Sequence, residues 1–220
     1  AAGLFLGTML GKGGASLWIV NAAMALAAFS ILLTAKKTDC LVSHNVPVSF
    51  KGMGKFDVLL PALCLFFVVI IRSFAGMTMG FAWKGEGYWG VAALAAVVLG
   101  KTAGGFAMDR IGGRPAALLS LTAAGVLFWF ADSPYAGVAG IFLFNMSMPM
   151  TLCALARRMP GCKGFSFGLL TFALFLGFLP VGLGAISSSP NWLLASLCAL
   201  SALLMLPGLD GRSVSLAHES

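Results

Sequence analysis

Gly105-Phe106-Ala107-Met108-Asp109-Arg110-Ile111-Gly112-Gly113-Arg114 lies between two long apolar runs of this 220-residue chain. A charged stretch this short, with glycines to turn the backbone, reads as a hairpin joining two helices that cross a membrane. The runs on either side set the frame. Stretches of about 20 apolar residues, the length that spans a bilayer core, are predicted at Ala15 to Thr34, Phe56 to Phe81, Tyr88 to Met108, Ala116 to Ala131, Tyr135 to Ala156, Phe165 to Ala185 and Trp192 to Leu209. Ahead of them, Ala1 to Gly11 is apolar but too short to cross, and is expected to be the end of a helix that begins upstream.

Composition agrees. Hydrophobic residues make up 60% of the chain and charged ones 10%, with a mean hydropathy of +0.98, whereas soluble domains carry about 25% charged residues. A water-soluble core of this size has no room for so much apolar side chain. The 14 Lys and Arg outnumber the 7 Asp and Glu, and their placement argues against nucleic acid as the partner. Lys36, Lys37, Lys51 and Lys55 occupy one connection, Arg110 and Arg114 another, Arg157, Arg158 and Lys163 a third, and Arg212 the tail. The alternate connections carry only Lys12 and Lys84. Such alternation predicts cytoplasmic placement of the basic connections and of the C-terminus. All five tryptophans, Trp18, Trp83, Trp89, Trp129 and Trp192, fall at the opposite ends of the spans, with Tyr88 and Tyr135 beside them, as expected of amphipathic rings at the headgroup level. The five cysteines form no disulfide framework and read as small packing residues.

The spacing Gly105-x-x-x-Asp109-Arg110-x-Gly112 resembles the signature loop of the major facilitator superfamily, in which a glycine is followed four residues later by Asp-Arg, then by Gly and basic residues. Here Gly113 takes the place usually held by the first basic residue, and Arg114 follows. Pro160-Gly161-Cys162-Lys163-Gly164 is similar to the basic, glycine-rich approach to helix 11 of that family. The resemblance implies an all-α polytopic membrane protein. Residues 1–34 would be the end of an N-terminal transmembrane domain, about one and a half helices numbered 5 and 6. Residues 35–55 would be the cytoplasmic central loop, 56–209 the C-terminal six-helix domain and 210–220 a cytoplasmic tail. Among subfamilies the pattern is most similar to fosmidomycin-resistance-type and related drug or metabolite exporters. The implied activity is secondary active transport by alternating access, in an inner or plasma membrane, of a small anionic or amphiphilic solute, coupled to a proton or another ion. A membrane scaffold or sensor that keeps the fold without transporting is the alternative.

Two groups of residues are candidates for function. In the hairpin, the resemblance implies a gate made of Gly105, Asp109, Arg110, Gly112 and Arg114, in which Asp109 accepts hydrogen bonds from a neighbouring helix N-terminus and Arg110 and Arg114 pair with acids across a domain interface. Without the resemblance, the same residues are a positive-inside anchor with a capping aspartate. Within the spans, Arg72 is the most unusual residue, since an arginine at such depth costs at least about 2.5 kcal/mol unless it faces protein or water. It either snorkels outward, pairs with an acid elsewhere, or offers its fork to an anionic solute. Ser73 lies beside it. Asn145 and Thr151 flank the run Met146-Ser147-Met148-Pro149-Met150, where proline frees a backbone carbonyl and methionines make an adaptable wall. Packing between helices explains the same polar residues without a ligand. The pairs Gly100/Gly104 and Gly164/Gly168 are small-xxx-small patterns that let helices approach. Lys101 is read as snorkelling from the inner end of its helix.

No Asp or Glu lies deep within a predicted span, so a coupling carboxylate, if the mechanism uses one, is expected outside this chain. The two histidines, His44 and His218, fall in polar segments, and no metal-ligand cluster, phosphate-binding loop or hydrolase motif is visible. No cofactor and no enzymatic activity are expected.

Overall fold

The computed structural model describes residues 55–159 and 163–209, and short pieces of helical backbone at 18–19, 21–22, 25–26 and 29–30. The predicted short opening run, the central loop up to residue 54, the segment Pro160 to Cys162 and the tail lie outside the described residues. The chain divides into two units, Ala1–Val48 and Ser49–Ser220; the helical pieces belong to the first and everything that follows to the second.

The second unit is all-helical among the described residues: α1 (Lys55–Thr78), α2 (Trp89–Ile111), α3 (Gly113–Trp129), α4 (Pro134–Arg158), α5 (Lys163–Gly182) and α6 (Asn191–Leu209), with a 3-10 turn at Ala82–Gly85. Five of the six are long and apolar enough to cross a membrane. The exception, α3, has 17 residues and so extends roughly 25 Å, at the short limit for a span.

The ends of the helices have local causes. Gly112 adopts φ +87°, which favours glycine, and there α2 stops and α3 starts. Its N–H donates to the Met108 carbonyl and its own carbonyl accepts from Ala116 N–H, so one residue closes both helices. As a result α2 continues past the predicted Met108 through Asp109 and Arg110 to Ile111. Gly184, at φ +72°, ends the last turn of α5 earlier than the predicted Ala185. Ser133 and Pro134 start α4, proline taking a first-turn position where its missing N–H is harmless.

Loop contacts fix the order of directions. At one end of the bundle, Trp83 Nε1 donates to the Ala131 carbonyl (2.8 Å) and Ser189 N–H to the Thr78 carbonyl (3.0 Å). The connections α1–α2, α3–α4 and α5–α6 therefore meet there. At the other end, Arg158 Nη2 donates to the Pro207 carbonyl (3.0 Å), joining the ends of α4 and α6, and a side chain at Gly113 would face Leu209. Every helix thus runs antiparallel to the next. The first end carries Trp83, Tyr88, Trp89, Trp129, Tyr135 and Trp192; the second carries Arg110, Arg114, Arg157 and Arg158. They are called here the aromatic end and the arginine end.

The tightest seams join helices that are not neighbours in sequence: α2 with α4, α3 with α6, and α1 with α5. Then come α3 with α4 and α1 with α6. Exchanging α1–α3 with α4–α6 maps this set of seams onto itself: α2·α4 becomes α5·α1, and α3·α4 becomes α6·α1. Glycines make the approach possible. A Cβ on Gly100 or Gly104 would collide with the backbone carbonyls of Phe142 and Met146, and one on Gly177 with the carbonyl of Ile70. The main apolar core, including Val68, Leu121, Phe128, Ile141, Phe144 and Met205, joins all helices but α5; a smaller one of Leu65, Val69, Leu155, Leu170 and Ala173 ties α5 to α1 and α4. Large apolar side chains such as Phe67, Phe106, Leu119, Val126, Phe172, Phe175 and Leu203 point outward. An exterior this apolar suits lipid rather than water.

Candidate functional site

Arg72 lies on α1 six residues before Thr78, roughly 9 Å of helix from the aromatic end. Its guanidinium does not turn back towards that end. Nη2 donates to Asn145 Oδ1 (3.2 Å) on α4, and Asn145 lies eleven residues, roughly 16 Å, below the start of its helix. Side chains on a helix lean towards its N-terminus, which here carries the charge deeper into the bundle. Arg72 and Asn145 are each 9% exposed. Outward snorkelling is therefore not the conformation adopted. The guanidinium also sits over the Phe144 ring, 5.9 Å from its centroid, a cation–π contact that strengthens as water is excluded.

Asn145 is held on its other side by Nδ2 donating to the Ile141 carbonyl (2.8 Å), which leaves its carbonyl oxygen aimed at the arginine. Pro149, four residues on, has no N–H to offer the Asn145 backbone carbonyl. Of the guanidinium's five N–H donors, only the bond to Asn145 has a protein acceptor among the described residues. The carboxylates among the described residues, Asp57, Glu86, Asp109 and Asp132, belong to helix ends or to the connections between helices, so none of these neutralises Arg72.

An aromatic series connects this point with the aromatic end. Tyr135 meets Trp89 edge-on (5.0 Å), Trp89 meets Trp83 (6.2 Å), Trp83 stacks on Phe81 (5.3 Å), Phe81 on Phe128 (6.1 Å), and Phe128 meets Phe144 edge-on (5.9 Å). Trp83, Phe128 and Phe144 are buried, so the series plugs the bundle above Arg72. Lys84 borders it, donating to the Met79 carbonyl and lying 5.0 Å from the Phe81 ring centroid. Burial pushes its ammonium down to about 8, desolvation outweighing the ring and carbonyl that favour the charge.

The other candidates within the spans lie elsewhere. Ser73 Oγ donates to the Leu174 carbonyl of α5 (2.6 Å) and serves the α1·α5 seam. Thr151, 1% exposed, donates to its own helix at the Met148 carbonyl (2.8 Å). It is six residues past Asn145, about 120° round the helix, and does not join Arg72. In the hairpin, Asp109, Arg110, Gly112 and Arg114 are exposed at the arginine end and Gly105 is half-buried with open space where a side chain would go. Asp109 has no hydrogen-bond partner among the described residues.

Lys101 lies at the depth of Asn145, which reading it as a residue near a helix end misses. Because α2 runs on to Ile111, Lys101 is ten residues, roughly 15 Å, from the arginine end. Its neighbour Gly100 lies against Asn145, whose Cβ would be 3.1 Å from a Gly100 Cβ. Arg72 and Lys101 are close enough to repel one another. The signal available in the sequence is the glycine pair: Gly100 and Gly104 bring this stretch of α2 against α4, which sets the depth of Lys101 although its side chain leaves the helix about 100° further round. Among the described residues there is no cluster of His, Cys, Asp and Glu that would hold a metal ion. Compared with protein-family models, with curated proteins and with solved structures, the chain matches none.

Proposed function

We propose that the chain is the solute-handling part of a secondary transporter of the facilitator type, with Arg72 and Asn145 at its solute contact and the Asp109 hairpin at its gate. The observation that carries the reading is a buried arginine, turned towards the middle of an apolar bundle and given a neutral amide as its partner. An ionised side chain at such depth is retained against its insertion penalty where it meets a charge that comes and goes. A purely structural cation would be better served by a permanent acid. The seams support the same reading. Six helices joined by shared seams, with an aromatic plug at one end, can tilt as a body, which alternating access requires. On this reading the arginine end faces the cytoplasm, following the basic excess there, and the protein resides in an inner or plasma membrane.

The test is solute flux into liposomes containing the purified protein, screened with labelled small carboxylates, phosphates and neutral amphiphiles. Saturable uptake above empty liposomes is expected, with Arg72→Ala reducing it by about tenfold or more, the loss of one charge-assisted contact. Arg72→Lys, which keeps the charge and loses the fork, should fall between. Asp109→Asn should lower flux while leaving expression near normal; unaltered flux removes the gate assignment. Uptake no greater than in empty liposomes across the whole panel defeats transport and favours a scaffold or sensor.

A further inference from the structure

We infer that Arg72 and Lys101 together form a binding site for a doubly charged oxyanion, of the phosphate monoester class, with Asn145 as the fixed element between them. The inference rests on the solute-contact reading of Arg72 and adds the charge and class of the ligand.

Three observations carry it. First, Arg72 is nine-tenths buried, yet one neutral oxygen is its only hydrogen-bond acceptor among the described residues. Secondly, Lys101 is half-buried in mid-helix with no acceptor among the described residues, although an ammonium has three donors to satisfy. Thirdly, the two cations come from different helices that meet at Asn145: its amide oxygen takes the Arg72 hydrogen bond, and its Cβ lies against Gly100, one residue before Lys101. Two like charges held near each other in an apolar bundle, with no carboxylate described nearer than the helix ends, are stabilised by an anion with charge enough for both. A monoanion neutralises one and leaves the other exposed to the low dielectric.

The parts suit the ligand. The guanidinium fork matches two oxygens of a phosphate, and the ammonium serves as a point charge for a third. The Phe144 ring, itself against the arginine, offers an apolar wall to the organic part of the ester. Depth selects the source. Lys101 and Asn145 lie roughly 15 Å or more from either end of their helices, whereas lipid phosphates sit at the surface, so the ligand is a soluble solute.

The experiment is a thermal-unfolding titration of the purified full chain in detergent at pH 8, with phenyl phosphate as the dianion, benzoate as the monoanion and benzyl alcohol as the neutral control. Phenyl phosphate should raise the midpoint at the lowest concentration, benzoate at a higher one, and benzyl alcohol should not act. Lys101→Gln should weaken phenyl phosphate by about tenfold, to the level of benzoate, for loss of one buried charge contact. Lys101→Arg should retain it. The inference is overturned if phenyl phosphate fails to raise the parent's midpoint, which is also the result expected if an acid outside the described residues already neutralises the pair. It is overturned too if Lys101→Gln binds phenyl phosphate as the parent does. Since the readout is equilibrium binding, the outcomes separate from transport: binding without flux keeps this site and defeats the transporter, whereas flux without binding does the reverse.

Discussion

Two glycine pairs with the same spacing meet different fates in this bundle. Gly100 and Gly104 on α2 lie so close to α4 that any side chain would enter its backbone, while Gly164 and Gly168 on α5 have nothing among the described residues within 4 Å of where a side chain would begin. The α5 helix makes its close approach one face away and further along, at Gly177 against Ile70 and Ser73 of α1. A small-xxx-small pattern permits a seam without choosing its partner. What distinguishes the two is the partner's surface: α4 is the most buried span and α5 the least, so a smooth face on α2 meets a neighbour where one on α5 meets the exterior.

The difference can be broken from the tight side first. Gly104→Val should be the most damaging change, costing at least about 3 kcal/mol because the added group meets a carbonyl that cannot move aside; thermal unfolding in detergent, or loss of monodisperse protein, reads it. A parent-like midpoint would show that α2 and α4 do not meet as described. Gly177→Val should come next, at about 1–3 kcal/mol, with the Ser73–Leu174 hydrogen bond lost as α5 is pushed from α1; an unchanged midpoint would detach α5 from that seam.

A smaller, pH-dependent effect concerns the aromatic end. With the folded Lys84 ammonium at about 8 and an unfolded one near 10.4, the unfolded chain binds the extra proton between these values. Stability should therefore rise as pH increases through that window, and the burden of the buried charge is fully present below about pH 8. Comparing unfolding midpoints of the parent and Lys84→Met from pH 7.5 to 10 should show the slope in the parent alone; equal slopes would place Lys84 in water. The smallest change is expected at the open pair. Gly168→Ala should stabilise by no more than about 1 kcal/mol, the helix-propensity gain where the methyl touches nothing, and a marked loss would mean that α5 has a partner at this face.

Much of the fold was legible because hydropathy and length act locally. The six helices of the second unit were anticipated, with errors confined to their ends, where apolarity and backbone geometry disagree. Met79 to Phe81 are apolar and extend the span predicted from Phe56, but Gly80 N–H bonds to the Thr78 carbonyl and turns the chain out of the helix. Asp109 and Arg110 are charged and mark a span end by polarity, yet the helix continues until Gly112 supplies the positive φ. The site was legible only in part. Arg72 and Asn145 stood out separately, each as a polar residue at apolar depth. Their pairing depends on how α1 and α4 rotate against each other, and no spacing within either helix records that. Lys101 was obscured by a span boundary set three residues short, and Ser73 by its adjacency to Arg72 in sequence, which on a helix turns it about 100° away, towards α5.

The separation between Arg72 and its partner also bears on how the protein is made. Asn145 follows the donor by 73 residues, and at roughly 5–20 residues per second of synthesis α1 emerges some 4–15 s before the helix that completes it. Release into lipid during that interval would carry the insertion cost of an unpaired arginine, about 2.5–3.5 kcal/mol, which favours holding α1 at the edge of the insertion machinery or in its aqueous path. Biogenesis of the bundle then depends on late pairing rather than on each helix being stored in the bilayer as it arrives. A ribosome stalled before α4 should hold α1 in a crosslinkable, unreleased state.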